Sequence, residues 1–188
     1  MNDDQKQTVY GTLLGTSKLE HDATGTYLVM QSRNKDWLAC KASELKNLER
    51  DCWRKDKTYY WVSRSDPFFE EADQLCYVDG RKAICETWLD ALRDIAFVVW
   101  YGDVGCLVGR NRRNACLRTP ALFNVELAVD YLNRLFLDRL GDDNACRLNM
   151  TGKYKTQQTI VFTQQGTLVL IDLISQVMPQ ILYRLIPC

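Results

Sequence analysis

The longest uninterrupted apolar run in this chain, Ile95–Tyr101, is seven residues long. A membrane-spanning helix needs roughly 20, so the apolar residues must instead be buried by pairing half-polar helices and strands around an internal core. With 188 residues and 46% hydrophobic content, the chain carries enough material for such a core. The opening residues, MNDDQKQ, are acidic and polar with no apolar run behind them. They lack the pattern of a secretory signal, and the expected location is cytoplasmic, without a membrane partner.

Local patterns predict the elements. Thr8–Leu14 and Thr26–Ser32 are rich in β-branched and aromatic residues and read as a hairpin, with Trp37–Cys40 as a third strand. Leu45, Leu48 and Cys52 recur at helical spacing, predicting a helix over Ala42–Arg54 with Lys46, Arg50 and Arg54 as a basic stripe. Thr58–Ser63 reads as a strand. Ile84, Trp88, Leu92, Ile95, Ala96 and Val99 predict a helix over Ala83–Val99. Asn124 and Gly141 bracket the most regular stripe in the chain, Val125, Ala128, Leu132, Leu135 and Phe136, which predicts a helix over Val125–Leu140. Thr156–Thr163 and Thr167–Leu173 read as a second hairpin, and Ser175–Pro187 as a short helix. No internal repeat is visible.

The expected fold is α+β: a mainly antiparallel sheet, built from an N-terminal meander and a C-terminal hairpin, packed against three or four helices. Residues 1–188 are expected to form one domain, with a subdivision near 64–67 between the N-terminal meander-helix unit and the remainder.

Most catalytic constellations fail on inspection. The only histidine, His21, sits in the turn-like HDATG stretch, so no Ser-His-Asp or Cys-His arrangement suggests itself. Neither a G-x-S-x-G elbow nor a phosphate-binding P-loop is present. The eight cysteines are spaced at least nine positions apart, without the close pairs zinc sites use; they are expected to be buried thiols. Glu44-Leu45-Lys46 has the acid-x-Lys spacing of metal-dependent nucleases, but on a helix such residues are ordinary solvent-facing helix formers. Gly102, Gly105 and Gly109 match no nucleotide-binding fingerprint and read as turn glycines. No catalytic residue, metal ligand or cofactor is assigned.

Charge is the remaining lead. The chain is neutral overall, with 24 basic and 24 acidic side chains, yet the charges are segregated. Residues 66–103 hold nine carboxylates against three basic groups. Val104–Arg118 follows with Arg110, Arg112, Arg113 and Arg118 and no acid. Guanidinium groups on a loop there can clamp phosphates or carboxylates, or pair with the acidic block. A second basic region, Lys46, Arg50, Arg54, Lys55 and Lys57, borders the aromatic cluster Trp53, Tyr59, Tyr60 and Trp61, which reads as interface anchors or as core.

These exclusions favour a small protein without catalysis, a regulator, inhibitor or adaptor of phage, plasmid or immunity type. It would bind a protein or nucleoprotein partner through acidic and basic patches, and a homodimer is compatible with patches of both signs. Two alternatives stand beside this reading. One is an RNA- or DNA-binding protein using the Arg110–Arg118 loop; the other is a metal-dependent hydrolase or nuclease working through carboxylates such as Asp103 or Glu126.

Overall fold

The computed structural model of the protein describes residues 1–109, 111, 113–119, 122–141, 143–151 and 157–176. One succession of elements occurs twice along the chain. The first pass comprises α1 (Asp3–Leu14), β1 (Lys18–Asp22), β2 (Gly25–Ser32), α2 (Lys35–Glu44), β3 (Glu49–Lys55), β4 (Thr58–Ser63) and α3 (Pro67–Cys76). A connecting stretch holds β5 (Tyr77–Val78), β6 (Arg81–Lys82) and α4 (Glu86–Asp90). The second pass comprises α5 (Asp94–Val104), β7 (Gly105–Val108), β8 (Asn114–Arg118), α6 (Val125–Leu140), β9 (Cys146–Thr151), β10 (Gln157–Phe162) and α7 (Gln164–Ser175).

Each pass builds a four-stranded antiparallel sheet with the same strand order, β1-β2-β4-β3 in the first and β7-β8-β10-β9 in the second. The α+β class and antiparallel pairing therefore match the expectation, with seven helices among the described residues where three or four were expected. The repeat that the sequence hides is a property of the fold: the two passes share an order of elements without sharing recognisable residues.

The passes meet through α1 and α5, which pack against each other along their length. Asn2 and Gln5 start α1 with a reciprocal capping box, Gln5 N–H to Asn2 Oδ1 at 2.9 Å and Asn2 N–H to Gln5 Oε1 at 3.1 Å. One turn further on, Gln7 ties the helices together. Its amide donates to Ala91 O at 2.8 Å, and its Oε1 accepts the Arg93 N–H at the start of α5 at 2.6 Å. Gly11 sets how closely they approach, since a Cβ there would lie 2.4 Å from Ala96 O and 2.8 Å from Val99 Cβ. A single apolar cluster runs through both passes, joining Leu13, Leu28, Trp61 and Phe69 to Trp100, Leu117, Phe136, Ile160 and Leu170.

Several predicted elements differ from those observed. Thr8–Leu14 belongs to α1 and Trp37–Cys40 to α2, not to strands. The helix expected over Ala42–Arg54 is the end of α2, a turn and then β3, so Lys46, Arg50 and Arg54 form no helical stripe. Thr167–Leu173 is helical, within α7, where a strand was expected. The helix expected over Ala83–Val99 is split into α4 and α5. β4 and α6 form as predicted; Asn124, however, adopts a left-handed conformation (φ 57°) at the head of α6, with no side-chain cap bond. His21 lies in β1, where its Nδ1 is 3.0 Å from Thr26 Oγ1. Most of the helix expected over Ser175–Pro187 lies outside the described residues. No helix among the described residues is long and apolar enough to cross a membrane.

Candidate nucleic-acid interface

Helices cover one face of each sheet and leave the other uncovered. Strand alternation sends Leu28, Met30 and Trp61 of the first sheet to the core, along with Ala115, Leu117, Ile160 and Phe162 of the second. The residues between them form the outer faces.

On the first sheet, Lys18, Glu20, Tyr27, Val29, Gln31, Arg50, Asp51, Trp53, Tyr60 and Val62 line an open groove of about 420 Å³. Lys18, Glu20 and Arg50 are engaged by partners of this chain. Arg50 donates to Asp22 Oδ2 at 2.8 Å and lies 4.4 Å over the Tyr27 ring, while Tyr27 OH donates to Glu20, which also meets Lys18. Hydrogen bonds from Thr24, reinforced by Arg50, hold the Asp22 carboxyl down at about 2. Trp53 and Tyr60 stack at 5.3 Å and 8°, so two of the four aromatic residues flagged by sequence reach the outer face. Trp61 is in the core and donates to Glu49 Oε2 at 2.8 Å; Tyr59 carries Arg54 over its ring.

The second sheet is different in kind. Its four strands contain no Asp or Glu at all. The register aligns Arg118, Thr159 and Asn149 in one row across β8, β10 and β9, and Cys106, Cys116, Val161 and Arg147 in the next. Arg118, Arg147 and Asn149 are exposed. Cys106 and Cys116 stand opposite each other with their sulfurs 2.9 Å apart, and burial together with the Cys106 thiol raises Cys116 to about 12.

Of the basic residues flagged by sequence, Arg110 and Arg112 lie outside the described residues. Arg113 is exposed beside β8, and Arg118 is on the outer face of the second sheet. Neither makes an ion pair among the described residues, so the acidic block at 66–103 does not neutralise them there. That block falls largely on α3, α4 and the start of α5, in the helical layer. Arg50 faces the first groove. Arg54 lies towards the opposite face of β3, bonded to Asp56 O, while Lys46, Lys55 and Lys57 are exposed around the edge of that sheet. Arg147 escaped sequence reading because it stands alone in its segment. The alternation Arg147, Leu148, Asn149, Met150 was the available signal.

Where α1 and α5 end, two buried lysines meet the chain. Asp103 accepts from Lys41 Nζ at 2.6 Å, Trp37 Nε1 at 2.7 Å and Thr12 Oγ1 at 2.9 Å, with the Lys41 and Asp103 side chains each 1% exposed. Lys82 Nζ donates to three carbonyls at the end of α1, Leu13 O and Gly15 O at 2.8 Å and Ser17 O at 3.1 Å. Desolvation lowers Lys82 to about 8. The carboxylate singled out for metal chemistry, Asp103, is thus a saturated structural partner, and Glu126 lies apart from it in the first turn of α6.

This fold, two αββαββα passes joined by a helix pair that displays two antiparallel sheets, defines the class. Residues 6–167 match the LAGLIDADG DNA endonuclease family, and the chain belongs to that family. It is 28% identical over 207 residues to the RecA protein of Mycolicibacterium fallax, aligning with all of this chain and 47% of that protein. The chain therefore spans about half the length of the curated relatives it matches.

Among solved structures, the homing endonuclease I-WcaI bound to its DNA recognition sequence superposes with a TM-score of 0.79 at 14% identity, over 98% of this chain and 86% of that one. I-DmoI in complex with DNA and Mn gives 0.59 at 10% identity, over 94% and 99%. The N-terminal LAGLIDADG domain of DUF199/WhiA gives 0.55 at 8% identity, over 97% and 87%. Family membership overturns the expectation of a regulator, inhibitor or adaptor directed at a protein partner. The two alternatives, a nucleic-acid-binding protein and a nuclease, agree with it better.

A DNA endonuclease family implies a divalent metal, and the donor set can be tested for one. Such ions take several oxygen ligands, carboxylates foremost. Among the described residues no three His, Cys, Asp or Glu side chains converge on a point that could hold a metal. Asp103, beside the ends of the helix pair, has both carboxylate oxygens engaged by this chain's own donors. The residues present do not fit a metal there.

Proposed function

We propose that this protein binds double-stranded DNA along the outer faces of its two sheets, one stretch of duplex to each. The observation that carries the reading is the outer face of the second sheet, which has exposed Arg118, Arg147 and Asn149 and strands free of carboxylate. A polyanion meets no repulsion on such a face. Arginine can bridge phosphates or read guanine edges bidentately, and asparagine suits adenine. A β-ribbon also fits the major groove, about 12 Å wide. The first sheet offers Gln31, Lys18, Arg50 and the Trp53–Tyr60 stack on the corresponding face.

I-WcaI, whose fold this chain shares, is bound to its DNA recognition sequence in its own structure, which supports the placement. The neutral net charge is no obstacle, because the acidic residues at 66–103 are concentrated on the helical layer behind the sheets. Fluorescence anisotropy with a labelled random-sequence duplex at two salt concentrations tests the proposal. Binding that weakens steeply with salt is expected, each phosphate contact adding about −0.9 to the log–log slope. No binding at low salt would remove the reading.

A further inference from the structure

Lys41 and Lys82 bring their ammonium groups to the ends of α1 and α5, and these take up the oxygens that a cation-assisted cleavage site would need. We infer that this protein grips DNA without metal-assisted strand cleavage, its helix-pair end being closed by two internal lysine cations in place of a divalent ion. The inference rests on the DNA-binding reading for its substrate, but its metal half stands on the donor set alone.

Three observations lead there. First, the oxygens are spent. Asp103 Oδ1 accepts from both Lys41 and Trp37, and its Oδ2 accepts from Thr12. Three carbonyls at the end of α1, those of Leu13, Gly15 and Ser17, converge on Lys82 Nζ. A divalent ion entering here would have to displace an ammonium group and stand beside another, with charge repulsion added to the loss of hydrogen bonds.

Second, the space is closed. The Asp103 side chain is 1% exposed, and a Cβ on Gly15 would already lie 2.6 Å from Asp103 Oδ2. An ion holding waters or a scissile phosphate needs an open coordination position, and the packing leaves none beside this carboxylate. Third, no replacement carboxylate is at hand. Of the 24 Asp and Glu residues only Asp142 lies outside the described set, and among the rest no cluster of three acidic, His or Cys groups forms. Thr16, between α1 and β1, and Val104, the last residue of α5, carry no charge.

The experiment uses the wild-type chain with two separate readouts. Electron paramagnetic resonance of Mn²⁺ titrated into the DNA-free protein should show no loss of the free-ion signal at equimolar metal. Duplexes retained from a randomised library in metal-free buffer should then stay full-length when Mg²⁺ or Mn²⁺ is added. Stoichiometric Mn²⁺ capture by the protein, or nicking and breakage of the retained duplex on metal addition, overturns the inference while leaving DNA binding intact. Failure to retain any duplex at low salt instead overturns the DNA-binding reading, and the Mn²⁺ titration still decides whether the helix-pair end holds a metal.

Discussion

Lys41 Nζ lies 2.6 Å from Asp103 Oδ1 with both side chains 1% exposed, so an ion pair from two different passes of the repeat is sealed away from solvent where α1 and α5 end. Removing either partner leaves the other charged and desolvated. Lys41→Met alone, or Asp103→Leu alone, should therefore destabilise the fold by about 3–5 kcal/mol. The double variant Lys41→Met/Asp103→Leu should recover much of that loss, since no lone buried charge remains. Urea midpoints of the four proteins give the coupling energy. Additive losses would show that the pair acts through packing and not charge.

Lys82 makes stability depend on pH in the alkaline range. Burial takes its folded-state value from 10.5 to about 8. Between those values the unfolded chain keeps a proton that the folded chain has released, so stability rises as pH climbs through this window. Below pH 8 the penalty is fully present, moderated by the three carbonyls that hold the ammonium. Wild type minus Lys82→Met, compared by urea unfolding at pH 7.5 and 10, should shift in favour of wild type by about 1–2 kcal/mol at the higher pH. A difference independent of pH would mean that Lys82 enters the folded state with its ordinary affinity for protons.

Gly11 stands where α1 crosses α5, and a side chain there would press on a backbone carbonyl, Ala96 O at 2.4 Å, that cannot swing aside. Gly11→Val should cost about 2–3 kcal/mol through forced separation of the helices, lowering Tm by roughly 2–4 °C per kcal/mol for a domain of this size. Thermal unfolding by circular dichroism checks it. An unchanged Tm would show that the crossing has room the distances deny.

What the sequence made legible follows from how many sides of each element are buried. α6 keeps a polar face, so Val125, Ala128, Leu132 and Phe136 stand out at helical spacing and its limits are readable. α1 buries Gln7, Thr8, Val9, Gly11, Thr12, Leu13 and Leu14 in near succession between neighbours. Its stripe disappears, and β-branched composition then reads as a strand. α7 does keep a helical stripe, Gly166, Thr167, Leu170, Leu173 and Ile174, but the apolar run Leu168–Ile171 fills the gaps between its members and reads as a buried strand. The repeat was hidden because it lies in the order of elements and of strands within each sheet rather than in side chains. The charge segregation was visible, and Arg118 with it. Arg147 joined the candidate surface only through strand register, which pairs it with Val161 beside Cys116.

That register also predicts how the two sheets share DNA binding. Arg118 and Arg147 face outward from strands without any carboxylate, whereas Arg50 is already bonded to Asp22 at 2.8 Å and packed on Tyr27. Arg118→Ala/Arg147→Ala should weaken binding to a random-sequence duplex and flatten the log–log salt slope by about 1.8, two contacts at about 0.9 each. Arg50→Ala should change the slope less, because forming its phosphate contact means giving up an internal one. Arg54→Ala, on the other face of β3 and bonded to Asp56 O, serves as the control and should leave the slope unchanged. Anisotropy titrations across a salt series read all three. A larger effect from Arg50 or Arg54 than from the Arg118/Arg147 pair would move the interface off the second sheet.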